Sequence, residues 1–108
     1  SKRKPEFEKR AGFAMMASLA VHDKKVPDQE FRQFYQHLVR GSTDERNFVK
    51  KAINWALRQI GKRSKILNKE AILIAEKIGK QDSKSAKWIA ADALRELKDP
   101  IILSRIKR

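Results

Sequence analysis

The segment FVKKAINWALRQIGK, residues 48–62, decides the fold of this chain. Its apolar side chains recur at the spacing of one face of an α-helix, and the helix is expected to end at Gly61. On a helical wheel, one broad side carries Val49, Ala52, Ile53, Ala56, Leu57 and Ile60. This side is the predicted core face.

The opposite side of the same predicted helix carries a narrow basic stripe with a tryptophan in its middle. Its members, at i, i+4, i+7 and i+11, are Lys51, Trp55, Arg58 and Lys62. Because an exposed tryptophan normally requires a partner surface, the stripe predicts a binding face. The alternative is that Trp55 packs against a neighbouring helix.

A second segment, which begins at a capping Ser83, repeats this pattern. Its apolar side carries Ala86, Ile89, Ala90, Ala93, Leu94 and Leu97, and its other side carries Lys84, Trp88, Asp92 and Arg95. We expect Asp92 to hold Arg95 or Trp88 in place, since a carboxylate there would repel an anionic ligand. Packing is again the alternative for Trp88. Arg10, in the first predicted helix, occupies the position equivalent to Lys51. The small residues Ala14 and Ala17 lie beside it, and we expect them to let a ligand backbone approach closely.

Helical periodicity governs the rest of the chain. The predicted helices run from Pro5 to Val21, from Asp28 to Val39, from a cap at Asp44 to Ile60, from a cap at Asn68 to Gly79 and from Ser83 to Lys98, with a short helix after Pro100. Similar motifs recur at about 40 residues, the period of HEAT repeats. The sequence therefore predicts an all-α fold of HEAT-like or ARM-type antiparallel helical repeats, a curved superhelix, with residues 1–108 as a single domain. An ordinary helical bundle is the alternative.

The net charge of the chain indicates which class of molecule it binds. The 108 residues include 26 Lys and Arg against 13 Asp and Glu, a formal charge of +13. Such an excess favours nucleic acid, whose phosphates bind lysine and arginine. An anionic membrane surface, an acidic protein and a merely solubilising surface are the alternatives. No apolar run is long enough to cross a bilayer, and we expect a cytoplasmic protein.

No catalytic or metal-binding motif is present in the sequence. The chain has no cysteine, which excludes disulfides and cysteine-ligated zinc. His22 and His37 do not form a ligand pair, and no phosphate-binding glycine motif occurs. We therefore expect no metal, no cofactor and no catalytic residue in this chain.

Three blocks of the sequence resemble the DNA alkylation repair family, the AlkD-like HEAT-repeat alkylpurine-DNA glycosylases. They are residues 48–62, residues 7–24 with Lys9-Arg10-Ala11, and residues 87–97 with Trp88 and Asp92. The resemblance extends from about Pro5 to Leu97.

The resemblance implies hydrolysis of the N-glycosidic bond of cationic alkylated purines, of the 3-methyladenine and 7-methylguanine type, without a cofactor. Such enzymes bind double-stranded DNA on the concave face of the repeats. Arg10 matches the family's arginine beside the lesion, and Trp55 matches an aromatic residue that contacts the DNA backbone.

One departure from the family pattern concerns catalysis. The family's aspartate lies in a WWD-like segment on an upstream helix, where it is expected to stabilise the positive charge that develops on the sugar. That segment is absent here, and Asp44 and Asp92 occupy other motif positions. We therefore expect the chain to be the C-terminal, DNA-binding half of such a glycosylase, inactive by itself. A basic HEAT-like scaffold that binds nucleic acid or an acidic protein without catalysis is the alternative.

Overall fold

A computed structural model describes residues 3–23 and 25–106, with side chains from residue 9 onward. These residues form six helices and no strand, which confirms the all-α prediction. The helices are α1 (Arg3–His22), α2 (Asp28–Gly41), α3 (Asn47–Gly61), α4 (Lys65–Gly79), α5 (Lys84–Leu97) and α6 (Pro100–Arg105).

The helices pack in two layers, an arrangement consistent with a helical repeat. In the first layer α3 lies against both α1 and α5, while α2 and α4 pack together behind it and α6 contacts α5. The predicted core face of α3 is confirmed, since all six of its apolar side chains are buried. Each fully buried leucine or isoleucine contributes about 1.5–3 kcal/mol to folding.

Two predicted helix caps are wrong, and their side chains have other roles. The cap of α4 is Ser64, whose Oγ accepts the Leu67 N–H at 3.1 Å, so that α4 begins earlier than predicted. Asn68 is buried inside the helix, where its amide donates to the carbonyls of Gly61 and Leu97. The carboxylate of Asp44 lies before α3, which begins only at Asn47.

Arg63 belongs to a basic stretch, Lys62–Lys65, yet its side chain is only 4% exposed. Its guanidinium donates to the carbonyls of Leu19 and Ala20 at the end of α1, and to the carbonyl of Val26 in the following loop. It also stacks over the ring of Phe31, 4.6 Å from the centroid. Arg63 therefore joins α1, α2 and the α3–α4 connection from the inside.

The α2–α3 loop supports the start of α5. Ser85 donates from its backbone N–H to Glu45 Oε2 and from its Oγ to the carbonyl of Asp44, both at 2.8 Å. Gln81 donates to Ser42 Oγ at 2.7 Å. These contacts fix the N-terminal end of α5 relative to α3.

Gly61 ends α3 as expected, but its role is close packing. None of the described residues has a positive φ, so no left-handed cap is formed. A Cβ at Gly61 would lie 2.4 Å from Leu97 Cδ2 and 3.0 Å from Ala71 Cβ. The end of α3 therefore approaches α4 and α5 at a distance that only glycine allows.

Gly61→Ala is expected to lower the free energy of unfolding by about 1–3 kcal/mol, because buried neighbours must move to admit the methyl group. Gly12→Ala is the matched control, since a Cβ at Gly12 in α1 meets nothing within 4 Å. The control should stabilise the protein by up to about 1 kcal/mol through helix propensity. Urea unfolding followed by circular dichroism measures both, and equal effects would contradict the close-packing role of Gly61.

Asp44 generates a second prediction, on pH. Its carboxylate accepts hydrogen bonds from Arg46 and, at 3.0 Å, from Lys9 Nζ, and these bonds hold the pKa of Asp44 well below its usual range. A lowered folded-state pKa adds stability above the unfolded pKa of about 4, and this stability is lost as pH falls below that value.

Asp44→Asn is therefore expected to cost about 1 kcal/mol at neutral pH, the size for charge-assisted bonds with partly exposed cations. The difference from the wild type should shrink as pH falls below about 4. Urea unfolding across this pH range measures it. Asp82→Asn, at an exposed loop position, is the control and should leave the pH profile unchanged. A difference that persists undiminished at low pH would rule out the ion-pair explanation.

Candidate nucleic-acid interface

The outward face of α3 lies between α1 and α5 and carries all four side chains of the predicted stripe. Lys51 is exposed, Trp55 is 39% exposed, and the side chains of Arg58 and Lys62 are about 30% exposed. Trp55 is thus neither a core residue nor fully free of the protein. More than half of its surface is covered by the fold, and the remainder is accessible to a ligand.

Phe48 extends this row by one turn toward the start of α3. It is 58% exposed and precedes Lys51 and Trp55 by three and seven residues, which places it on the same face. The Arg10 guanidinium from α1 lies over its ring, 5.4 Å from the centroid. Sequence reasoning did not select Phe48, although its spacing to Lys51 is the signal that would have found it.

On the α1 side, Arg10 lies beside the row. The two alanines near Arg10 in the sequence differ in how far they are exposed. Ala14 is half-buried, but Ala17 is fully buried on the core side of α1. The expectation that both alanines line the ligand surface is therefore wrong for Ala17, whose position on the wheel turns toward the core.

On the α5 side, Glu96 binds two cations of the stripe. Its Oε2 accepts from Arg58 Nη1 and its Oε1 accepts from Lys62 Nζ, each at 2.8 Å. Arg58 Nε also donates to Asn54 Oδ1 at 2.7 Å. Partial burial opposes ionisation of Glu96, but the hydrogen bonds from Lys62 and Arg58 outweigh it, so the pKa of Glu96 lies below its ordinary value. Glu96 is another residue that sequence reasoning missed.

Asp92 lies between two arginines. Its carboxylate is 3.9 Å from Arg58 Nε and 3.7 Å from Arg95 Nη1, one helical turn away. The side chain of Arg95 is 76% exposed, so this loose contact leaves most of its guanidinium in water.

Trp88 is 40% exposed on α5 and meets a cation of α3 that the wheel did not select. The ammonium of Lys50 lies 5.3 Å from the centroid of its ring. Lys50 is turned from the stripe toward α5, so only the packing of the two helices reveals the contact. The face thus holds two aromatic–cation pairs, Arg10 with Phe48 and Lys50 with Trp88, on either side of Trp55 and Lys51.

Together these side chains form what we call the α3 face: Arg10, Phe48, Lys50, Lys51, Trp55, Arg58, Lys62, Trp88 and Arg95. Cations can bind phosphate oxygens, and exposed aromatic rings can contact sugars or stack with bases. Within residues 3–23 and 25–106, no group of three or more acidic or histidine side chains is arranged to hold a metal ion. Nor is any helix of this part long and apolar enough to span a membrane.

Comparison with known proteins places the chain in a family. The family model for DNA alkylation repair enzymes matches residues 1–97. Searches of curated proteins and of solved structures give no match. The family match covers most of the chain, includes every residue of the α3 face and supports a role in DNA repair. The chain belongs to the family of DNA alkylation repair enzymes.

Proposed function

We propose that the α3 face binds the backbone of double-stranded DNA and that the chain is the DNA-binding half of an alkylpurine-DNA glycosylase. The observation that carries the proposal is the exposed row of Phe48, Lys51 and Trp55, with Arg10 beside it. Alternating aromatic and cationic side chains suit a ligand that offers both phosphates and flat rings.

The charge distribution supports an extended polyanion. Lys51 has no acidic partner among the described residues, and Arg95 keeps most of its surface in water. A compact acidic metabolite would need a pocket with convergent donors. The α3 face is instead a row along a helix, the shape that a nucleic-acid strand can follow.

The proposed reaction of the whole enzyme is hydrolysis of the N-glycosidic bond of cationic alkylated purines. Its catalytic aspartate is proposed to lie outside this chain. The two carboxylates nearest the row, those of Asp92 and Glu96, are engaged with Arg58, Lys62 and Arg95. An acid held in this way is poorly placed to stabilise a sugar cation.

Lys51→Ala tests the electrostatic part. Fluorescence anisotropy of a labelled duplex at several salt concentrations is expected to show binding that weakens steeply with salt. The variant should reduce the slope of log K against log salt by about 0.9, the loss of one phosphate contact. Lys69→Ala, at an exposed position on α4, removes the same charge from the outer layer and should leave the slope unchanged. Equal slopes for Lys51→Ala and the wild type would remove Lys51 from the interface.

Trp55→Ala tests the aromatic part. Loss of one stacking contact is expected to cost about 1–3 kcal/mol, roughly five- to 150-fold in dissociation constant, with little change in the salt slope. Leu73→Ala is the control, because this side chain is 66% exposed on α4 and belongs to the other layer. Circular dichroism checks that helix content is kept. Unfolding of Trp55→Ala would instead show that the ring is part of the core.

Binding to an acidic protein but not to duplex DNA would overturn the proposal in favour of an interaction scaffold. The catalytic part has its own measurement, release of 7-methylguanine from an alkylated duplex. The chain is expected to bind this duplex without releasing the base, and release would show that it carries its own catalytic acid.

A further inference from the structure

The row of side chains along α3 has two halves, which differ in whether their cations are paired with a carboxylate. Toward the start of the helix, Lys51 is exposed beside Trp55. Toward its end, Arg58 and Lys62 both bind one carboxylate, that of Glu96 from α5. Each oxygen of Glu96 is engaged by a different cation at 2.8 Å.

We propose that Arg58 and Lys62 form a phosphate-binding site that Glu96 masks in the free protein. The inference rests on the proposed function, because the phosphate is that of the DNA backbone. In this view Glu96 stands in for a phosphate: it supplies two anionic oxygens to the donors that would otherwise bind DNA.

The position of Arg58 does not depend on Glu96 alone. Asn54 accepts from its Nε at 2.7 Å, and the Asn54 amide in turn donates to the carbonyl of Ile89 at 3.4 Å. Asn54 is 2% exposed and therefore fixed by the core. When Glu96 is replaced, Asn54 still orients the guanidinium, and the Nη1 donor that Glu96 occupied becomes available to a phosphate oxygen, while Asp92 stays at its longer distance of 3.9 Å from Nε.

The ion pairs are accessible to a ligand. The side chains of Arg58, Lys62 and Glu96 are 28%, 27% and 24% exposed, so the cluster lies at the surface and not in the core. Ion pairs at the protein surface are individually weak and exchange readily. A phosphate can therefore compete with Glu96, and the competition lowers the affinity for DNA.

The masked site continues the exposed half of the row. Lys51 and Lys62 are separated by about 16 Å along the helix axis at 1.5 Å per residue. A DNA strand carries a phosphate about every 3.4 Å of its axis, so a strand that follows α3 presents phosphates to both. In the wild type the first half is expected to contribute more to binding than the second, and removal of Glu96 increases the contribution of the second half.

Glu96→Gln tests the proposal by anisotropy with the same labelled duplex. The variant keeps the shape of the side chain and an acceptor oxygen, but it loses the charge. It is expected to bind about three- to tenfold more tightly and to steepen the salt slope by up to about 1.8, two released cations at 0.9 each. Glu76→Gln is the matched control, because it changes the net charge of the protein by the same amount. The carboxylate of Glu76 is exposed on α4 and has no ion pair within the described residues.

The partner cation supplies the second arm. Lys62→Ala should reduce the salt slope of the wild type less than Lys51→Ala does, because Lys62 is paired with Glu96, and should reduce the steeper slope of Glu96→Gln by about 0.9. This dependence of one substitution on the other is the signature of masking. If Glu96→Gln does not keep its helix content, the comparison of Lys62→Ala with Lys51→Ala in the wild type decides: equal losses of slope overturn the proposal.

The outcomes separate the two levels of inference. Identical behaviour of Glu96→Gln and Glu76→Gln, or weaker binding by Glu96→Gln, overturns masking while the effects of Lys51→Ala and Trp55→Ala still support DNA binding. Absence of salt-dependent binding to the duplex by the folded wild type overturns both.

Discussion

The C-terminal ends of α1, α3 and α5 impose the constraint on which the rest of the structure depends. The last carbonyls of a helix have no partner within it, and their burial is costly unless a donor is supplied. Here two residues supply the donors: Arg63 serves the end of α1, and Asn68 serves the ends of α3 and α5. Arg63 lies in the short segment that joins α3 to α4, and Asn68 lies in the first turn of α4, so this stretch of chain ties together the ends of all three helices of the first layer.

This arrangement places the outward face of α3 between its two neighbours. The close approach of Gly61 to Leu97 holds the end of α3 against α5, and the hydrogen bonds of Ser85 hold the other end of α5 against the α2–α3 loop. Both ends of the α3–α5 contact are thus fixed. The aromatic–cation pairs on either side of Trp55 each join a side chain of α3 to a neighbouring helix, and the pair of Lys50 and Trp88 depends on this fixed α3–α5 contact.

Net charge alone is a poor count of the cations offered to a ligand. Arg63 contributes to the +13 of the chain, but it is buried in the fold and donates to carbonyls. Arg58 and Lys62 are drawn to Glu96, and Lys9 is paired with Asp44. The basic composition favours an anionic partner, but some of the cations that it counts bind groups within the protein.

Periodicity predicted the helices and the core face of α3, because these depend on local spacing. The positions of Arg63, Asn68 and Glu96 depend on which helix ends meet, and no spacing within one helix reveals that. Spacing alone therefore predicts a cap at Asn68 and does not reveal that the side chain of Arg63 is buried. Phe48 is different, because its spacing to Lys51 and Trp55 is enough to place it on the same face of α3. For the stripe itself, helical geometry predicts that its side chains share one face. Whether each cation is paired with a carboxylate depends on the neighbouring helix, which the spacing does not reveal.

Hydrogen bonds of side chains that lie far apart in the sequence have a further consequence, for the order in which the helices lose their structure on unfolding. Those between Lys9 and Asp44, Arg58 and Glu96, and Gln81 and Ser42 span 35, 38 and 39 residues, so each joins parts of the chain that lie about one repeat period apart. Stability in such an array is shared between adjacent units. α3, with partners on both sides, is then the segment that keeps its backbone protection longest, while loss of structure starts at the outer helices and moves inward.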